Sequence, residues 1–366
     1  MTTALEENQT RLVAFAQAEL GQGVAHCQPL RGGGSDRQYY RLAMGGQTLV
    51  GVVGQDLAEN RAFLAFTAHF AARGIPVPRI YGVHPQGDMY LLEDLGDATL
   101  QERLTAWRAL PPGPAGPAQQ MEALAQVVWW LPMVQVQGGQ GLDYSLCYQG
   151  DTLGGLAFRQ DVQSFLQEYV GHFARQPAPS AAVLGDVEQL VTELDGLDRS
   201  HFCYRDFQTR NIMWPQHSPV FIDYQSGRRG PLAYDLVSLL YSPDTGLDEA
   251  ARLSLTDTYL ASLADVGVRM DREDFWNQVQ RFVLVRRMQA LGAYTYLARA
   301  RNKPLLLEKI PATQDTLRAL LAQPHFIAHL PALKTWLQRL FVQGEALEKP
   351  GLARLDSAPC APKGKS

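Results

Sequence analysis

Apolar and polar positions change period along the chain, separating a strand-rich first part from a helix-rich remainder. Leu5, Leu12, Val13, Phe15, Ala16 and Leu20 share one helical face and Gly21 ends the run, which predicts a helix over 4–20. Residues 39–42 and 48–53 read as strands around the Gly45-Gly46 turn, which predicts a hairpin. A helix over 58–72 follows, then a strand entered through Ile75-Pro76-Val77-Pro78, where the prolines forbid helix. Residues 89–96 read as a buried strand. Helices are predicted at 99–110, 121–136, 156–173, 182–194, 234–241, 248–263, 271–299, 314–322 and 331–342. The proline-rich run 111–117 reads as a loop, Trp129 and Trp130 as core, and Arg159, Asp161 and Glu168 as a solvated helix face. The aperiodic tail 347–366 is predicted to be disordered.

One stretch, 201–235, interrupts these patterns with polar residues at the ends of short apolar runs. Phe202, Cys203 and Tyr204 lead into Arg205 and Asp206; Asn211 follows five positions later and is itself followed by Ile212, Met213 and Trp214. Val220, Phe221 and Ile222 then deliver Asp223. A carboxylate, a carboxamide and a second carboxylate so placed suit in-line phosphoryl transfer. One carboxylate accepts the proton of an attacking hydroxyl, and the amide and other carboxylate hold magnesium against nucleotide phosphates.

Tyr204-Arg205-Asp206 followed by Asn211 resembles the kinase catalytic loop, and Ile222-Asp223-Tyr224 stands where protein kinases carry Asp-Phe-Gly. The wider text, from Tyr204 through the Gly230–Asp235 turn, is similar to the aminoglycoside-phosphotransferase-like small-molecule kinases, and within them to kinases of N-acetylmuramate and N-acetylglucosamine. The likeness runs roughly over residues 30–333. It implies an α+β, protein-kinase-like bilobal fold: a small β-rich nucleotide-binding lobe over 1–93, and a larger, mostly helical catalytic and acceptor-binding lobe over 94–346. It implies ATP and Mg2+ as cofactors, Asp206 as catalytic base, and Asn211 and Asp223 as metal ligands. Gly32, Gly33, Gly34 and Ser35 would cover the phosphates with Arg37 beside them, because glycines let backbone N–H groups approach an anion. Glu93 and Leu95 would receive the adenine with backbone groups. Arg205 would order the active loop and Asp235 would brace it, although Asp235 just after Pro231 also suits a helix N-terminus. Gln225 and either Arg286 or Arg287 are the acceptor-side candidates, an arginine being suited to a sugar carboxylate. In one respect the chain departs from the kinase pattern. No lysine precedes Lys303, so Arg37 or Arg41 substitutes for the strand lysine, or metal and backbone suffice. Glu59 is open to pairing with that arginine or to solvation.

Composition narrows the partners. The formal net charge is −4 over 366 residues, which offers no electrostatic reason to bind nucleic acid or an acidic membrane. No basic, apolar leader opens the chain, and the longest apolar run is too short to span a bilayer, so a cytoplasmic protein is expected. Four cysteines show neither a C-x-x-C pair nor metal-ligand spacing, and Cys203 reads as core rather than nucleophile. Two alternatives remain at this level: a kinase for an aminoglycoside or other amino-alcohol, and a catalytically inactive nucleotide-binding regulator. A protein kinase is weaker still, because no Ala-Pro-Glu segment follows Asp223.

Overall fold

The Gly45-Gly46 hairpin forms as its alternation requires. Strands β2 (Gln38–Met44) and β3 (Gln47–Val53) pair antiparallel, and both glycines take positive φ, the region a β-branched or bulky residue would resist. The computed structural model describes residues 2–30 and 36–341. The loop Gly32, Gly33, Gly34 and Ser35 and the tail 347–366 lie outside the described residues.

Around the hairpin is a five-stranded antiparallel sheet ordered β1-β2-β3-β5-β4, with β1 at Val24–Pro29, β4 at Ile80–Val83 and β5 at Met89–Glu93. Strand β1 has no expectation in the sequence. Its positions are exposed or half-buried and do not alternate, so only pairing with β2 makes it a strand. Helix α1 (Thr2–Leu20) sets Leu12, Phe15 and Ala16 against Tyr40, Leu42, Leu49 and Leu91, a cluster in which each residue is under a tenth exposed. Helix α2 (Leu57–Ala71) starts where Asp56 accepts from the N–H groups of Ala58 and Glu59.

The remainder is mostly helical: α3 (Leu100–Arg108), α4 (Ala115–Pro132), α5 (Gly155–Ser164), α6 (Ala181–Asp195), α7 (Leu232–Leu240), α8 (Glu249–Asp265), α9 (Arg272–Ala300), α10 (Ile310–Leu321) and α11 (Pro331–Phe341). Thr99 and Glu102 close a capping box on α3. Two short hairpin-like pairs, β6 (His201–Cys203) with β9 (Arg228–Gly230) and β7 (Ile212–Met213) with β8 (Val220–Phe221), carry the polar block. At Gly230 a Cβ would stand 2.7 Å from that of Cys203, so β9 approaches β6 only with glycine there.

Three local expectations are corrected. Residues 115–117 of the proline-rich run are already helical, since proline is tolerated in a first turn. Trp129 is 43% exposed and Trp130 only half-buried, because the core-facing stripe of α4 falls on Leu124, Val127, Val128 and Leu131. Glu168 is buried, not solvated, and forms a bidentate pair with Arg299.

The chain divides into two compact units, Met1–Asp161 with Val191–Arg286, and Val162–Leu190 with Arg287–Ser366. The expected lobe boundary at 93/94 falls inside the first. Within that unit the sheet and polar block are joined through α2: Phe63 stacks on Tyr90 and Tyr224, while Phe66 and Phe70 meet Phe202 edge-on.

Candidate active site

Arg205 and Asp223 both hold positive φ, at 73° and 67°, a conformation costing about 1–3 kcal/mol that persists only where surroundings impose it. At Arg205 the imposing group is Asp235. Its Oδ2 accepts from the Tyr204 N–H at 2.8 Å and its Oδ1 from the Arg205 N–H at 2.9 Å. Gln135 Nε2 adds a third bond at 3.0 Å, and Tyr259 O–H donates to Gln135 Oε1 at 2.6 Å. Asp235 is in the first turn of α7, but its carboxylate braces the loop instead of capping the helix. Tyr204 is fully buried, its hydroxyl donating to the Ile222 carbonyl, which ties the loop to the segment that presents Asp223.

Asp206 is half-buried, and its carboxylate makes no hydrogen bond or ion pair among the described residues. Its backbone carbonyl accepts from Asn211 Nδ2 at 2.8 Å, and the Asn211 carboxamide oxygen has no hydrogen bond among the described residues. The Ile222 N–H donates to the Asn211 carbonyl at 3.1 Å, so the segment that leads into Asp223 is tied to the residue bonded to the Asp206 carbonyl. Burial, then the charge of Asp206, pushes the Asp223 carboxyl up, with Gln225, Arg37 and Arg210 opposing. Arg210 itself is exposed.

From Asp223 a polar chain runs back to the sheet. Gln225 Nε2 donates to Asp223 Oδ1 at 2.8 Å and to Glu59 Oε1 at 3.0 Å, and Glu59 meets Arg37 at 3.3 Å. Arg37 is 6% exposed, lying 5.6 Å from the Phe63 ring centre. It is therefore an interior cation paired with a glutamate of α2. Arg41 is instead held by Asp94 at 2.7 and 3.0 Å and by Asp97 at 2.8 Å. Gln225, expected on the acceptor side, instead has its amide engaged between Glu59 and Asp223.

The Glu93 N–H donates to the Arg79 carbonyl, so it is not available to a base, whereas the Leu95 N–H makes no such bond among the described residues. Arg286 Nη1 donates to the Tyr234 hydroxyl at 2.8 Å, and the guanidinium stays charged against burial through Tyr234, Asp206 and Asp161. Arg287 is buried in the other unit. The charge of Arg286 reaches Asp206. Cys203 is fully buried beside Asp235 and its thiol is pushed well up by that burial, as a core residue's would be.

With this geometry in view, the comparisons decide the family. The model of the phosphotransferase enzyme family (APH) matches residues 26–276. The chain belongs to that family. It is 24% identical to an N-acetylmuramate/N-acetylglucosamine kinase of Caulobacter vibrioides over 92% of this chain and 98% of that protein. A protein of the same name from Pseudomonas putida is 25% identical, over 76% of this chain and 78% of its own length. Among solved structures, a choline/ethanolamine kinase family protein from Mesorhizobium loti superposes with TM-score 0.56 at 14% identity, covering 90% of this chain and 99% of that one. Choline kinase LicA of Streptococcus pneumoniae gives 0.56 at 12%, covering 86% and 99%. The fold is the protein-kinase-like α+β arrangement expected, and the phosphotransferase is ATP-dependent.

In the phosphotransferase, Asn211 and Asp223 could hold a magnesium ion, because both offer hard oxygen donors. No group of three or more His, Cys, Asp or Glu able to hold a metal exists among the described residues. An ion there would complete its shell with phosphate and water oxygens. Sequence reasoning missed Gln135, whose signal is one glutamine in an otherwise apolar turn, and Gln149 and Tyr148, which nothing local marks. Tyr148 lies close enough to Glu59 that burial and that charge push its hydroxyl up to about 12.

Burial also pushes the Asp235 carboxyl up to about 6, against its hydrogen bonds. Protonated, it can no longer accept from both backbone N–H groups, so kcat/KM should fall as pH drops through 6. Stability moves the other way. An unfolded aspartate titrates near ~3.9, so the native state binds more protons between about pH 4 and 6 and this group's contribution declines as pH rises across that window. A pH–rate profile beside denaturant titrations checks both; an acid limb caused by unfolding would refute this account.

Proposed function

We propose that the chain is an ATP- and magnesium-dependent kinase that phosphorylates an amino sugar, at the anomeric hydroxyl of N-acetylmuramate or N-acetylglucosamine. The observation that carries it is that backbone hydrogen bonds hold Asn211 to the Asp206 carbonyl and the segment leading into Asp223 to the Asn211 carbonyl, in a chain matching a sugar kinase over nearly its full length. In this reading Asp206 accepts the acceptor's proton at its carboxylate. Asn211 and Asp223 hold the cation, which when bound offsets phosphate charge. The loop Gly32–Ser35 and Arg37 bind the phosphates, with Glu93 and Leu95 beside the base, so residues 1–93 form the nucleotide-binding lobe and 94–346 the acceptor lobe. The reaction is placed in the cytoplasm, where ATP is made. In keeping with that, Cys27, Cys147 and Cys203 are free, and no helix among the described residues is long and apolar enough to cross a membrane. The absent strand lysine was the feature favouring a regulator; the Arg37–Glu59 pair supports turnover instead.

Coupled ADP release with magnesium-ATP against N-acetylmuramate, N-acetylglucosamine, glucose and kanamycin tests the reading. Turnover is expected on the amino sugars, with a product whose phosphate is lost in mild acid as a glycosyl phosphate is. Turnover on kanamycin alone would refute it.

A further inference from the structure

Beside Asp206, two guanidinium groups converge on one neutral atom. Arg205 Nη1 lies 3.3 Å and Arg228 Nη2 3.0 Å from Gln149 Oε1. Arg228, on β9, is 6% exposed, and its other hydrogen bonds go to backbone carbonyls, Gln149 at 2.7 Å and Ser226 at 3.4 Å. Arg205 Nε is buried and has no hydrogen-bond partner among the described residues. Neither arginine forms an ion pair among the described residues. Burial, then the charge of Arg205, lowers the Arg228 pKa, and the charge of Arg286 reaches Arg205 as well. A buried guanidinium is ordinarily matched by a carboxylate or phosphate, because desolvating an unmatched charge is costly. Here the shared acceptor is a carboxamide on an exposed residue, displaceable without unpacking the core.

We infer that Arg205 and Arg228 form an anion subsite that receives a carboxylate of the acceptor, with the Gln149 amide oxygen standing in its place when no acceptor is bound. Arg205 precedes Asp206 directly, and their charges interact, so a group bound there lies within one small acceptor of the reacting hydroxyl. Paired N–H donors from two arginines suit the two oxygens of a carboxylate. The assignment rests on the sugar-kinase reading and sharpens it: the enzyme prefers the acidic amino sugar to its neutral counterpart, and this pair sets the preference.

The full-length native protein, Arg228→Gln and Gln149→Glu are assayed with N-acetylmuramate and N-acetylglucosamine, which differ by the carboxylate-bearing arm. Both variants should raise KM for the acid relative to the neutral sugar by about 10–100-fold, the loss expected for a charged hydrogen bond. Unchanged ratios in both would overturn the assignment. A second readout needs no turnover: thermal unfolding in D-lactate, inorganic phosphate or chloride at equal ionic strength. Lactate should stabilise the native protein and lose that effect in Gln149→Glu, whose own carboxylate fills the site and raises Tm by ~2–4 °C. Stabilisation by phosphate alone would mean an effector anion and overturn the acceptor role, as would no anion effect. If neither sugar is phosphorylated the kinase reading has failed, and the melts still decide the anion site.

Discussion

Asp206→Asn should lower kcat by about 10²–10⁴-fold, the range for removing a positioned general base, while leaving nucleotide affinity intact. The substitution is nearly isosteric, and Asn211 is bonded to the Asp206 backbone carbonyl, not its side chain, so the loop keeps its shape. Asn211, Asp223, Glu59 and Arg37 all keep their bonds. A second signature follows from charge. Asp206 is the neighbouring carboxylate that, after burial, pushes Asp223 up, so Asp223 should titrate at lower pH in the variant. Single-turnover kinetics, nucleotide titration and carboxyl NMR give the three readouts. A fall in kcat of less than about tenfold would show that Asp206 orients the hydroxyl without taking its proton.

The other large effect belongs to a residue that touches no substrate. Asp235→Ala removes the acceptor for two backbone N–H groups that hold Arg205 left-handed, and kcat should drop about a hundredfold, the consequence of displacing a catalytic group by roughly an ångström. Stability should change far less. Two buried donors without acceptors cost about 1–3 kcal/mol each. Against this, the variant loses a buried charge whose elevation to about 6 corresponds to ~3 kcal/mol. Asp235→Asn, which keeps one accepting oxygen, should be intermediate in kcat. Denaturant titration beside the kinetics checks the pair. Parallel losses of activity and stability would mean general unfolding, and an active Asp235→Ala would end the bracing role.

The order of the polar residues in the block 201–235 was legible because it is local. Asp206, Asn211 and Asp223 each adjoin a short apolar run, and apolar runs bury wherever the fold allows. Gln225 was not legible. Two residues from Asp223, it reads as an acceptor contact, yet it is buried between Asp223 and a glutamate 166 positions away. Trp129 misled for a related reason, since its exposure depends on which stripe of α4 faces inward.

The sequence by itself determined the α+β division, most helices, the hairpin and the order of the polar residues proposed for the reaction, because periodicity, turn residues and spacing act over a few positions. Tertiary structure alone decided which arginine pairs with Glu59, that Gln135 and Asp235 hold the loop, and that Arg205 and Arg228 share Gln149. Each is a pairing of charges or donors far apart in the chain. Such pairings follow from burial, which removes water as the alternative partner, and burial is a property of the assembled fold.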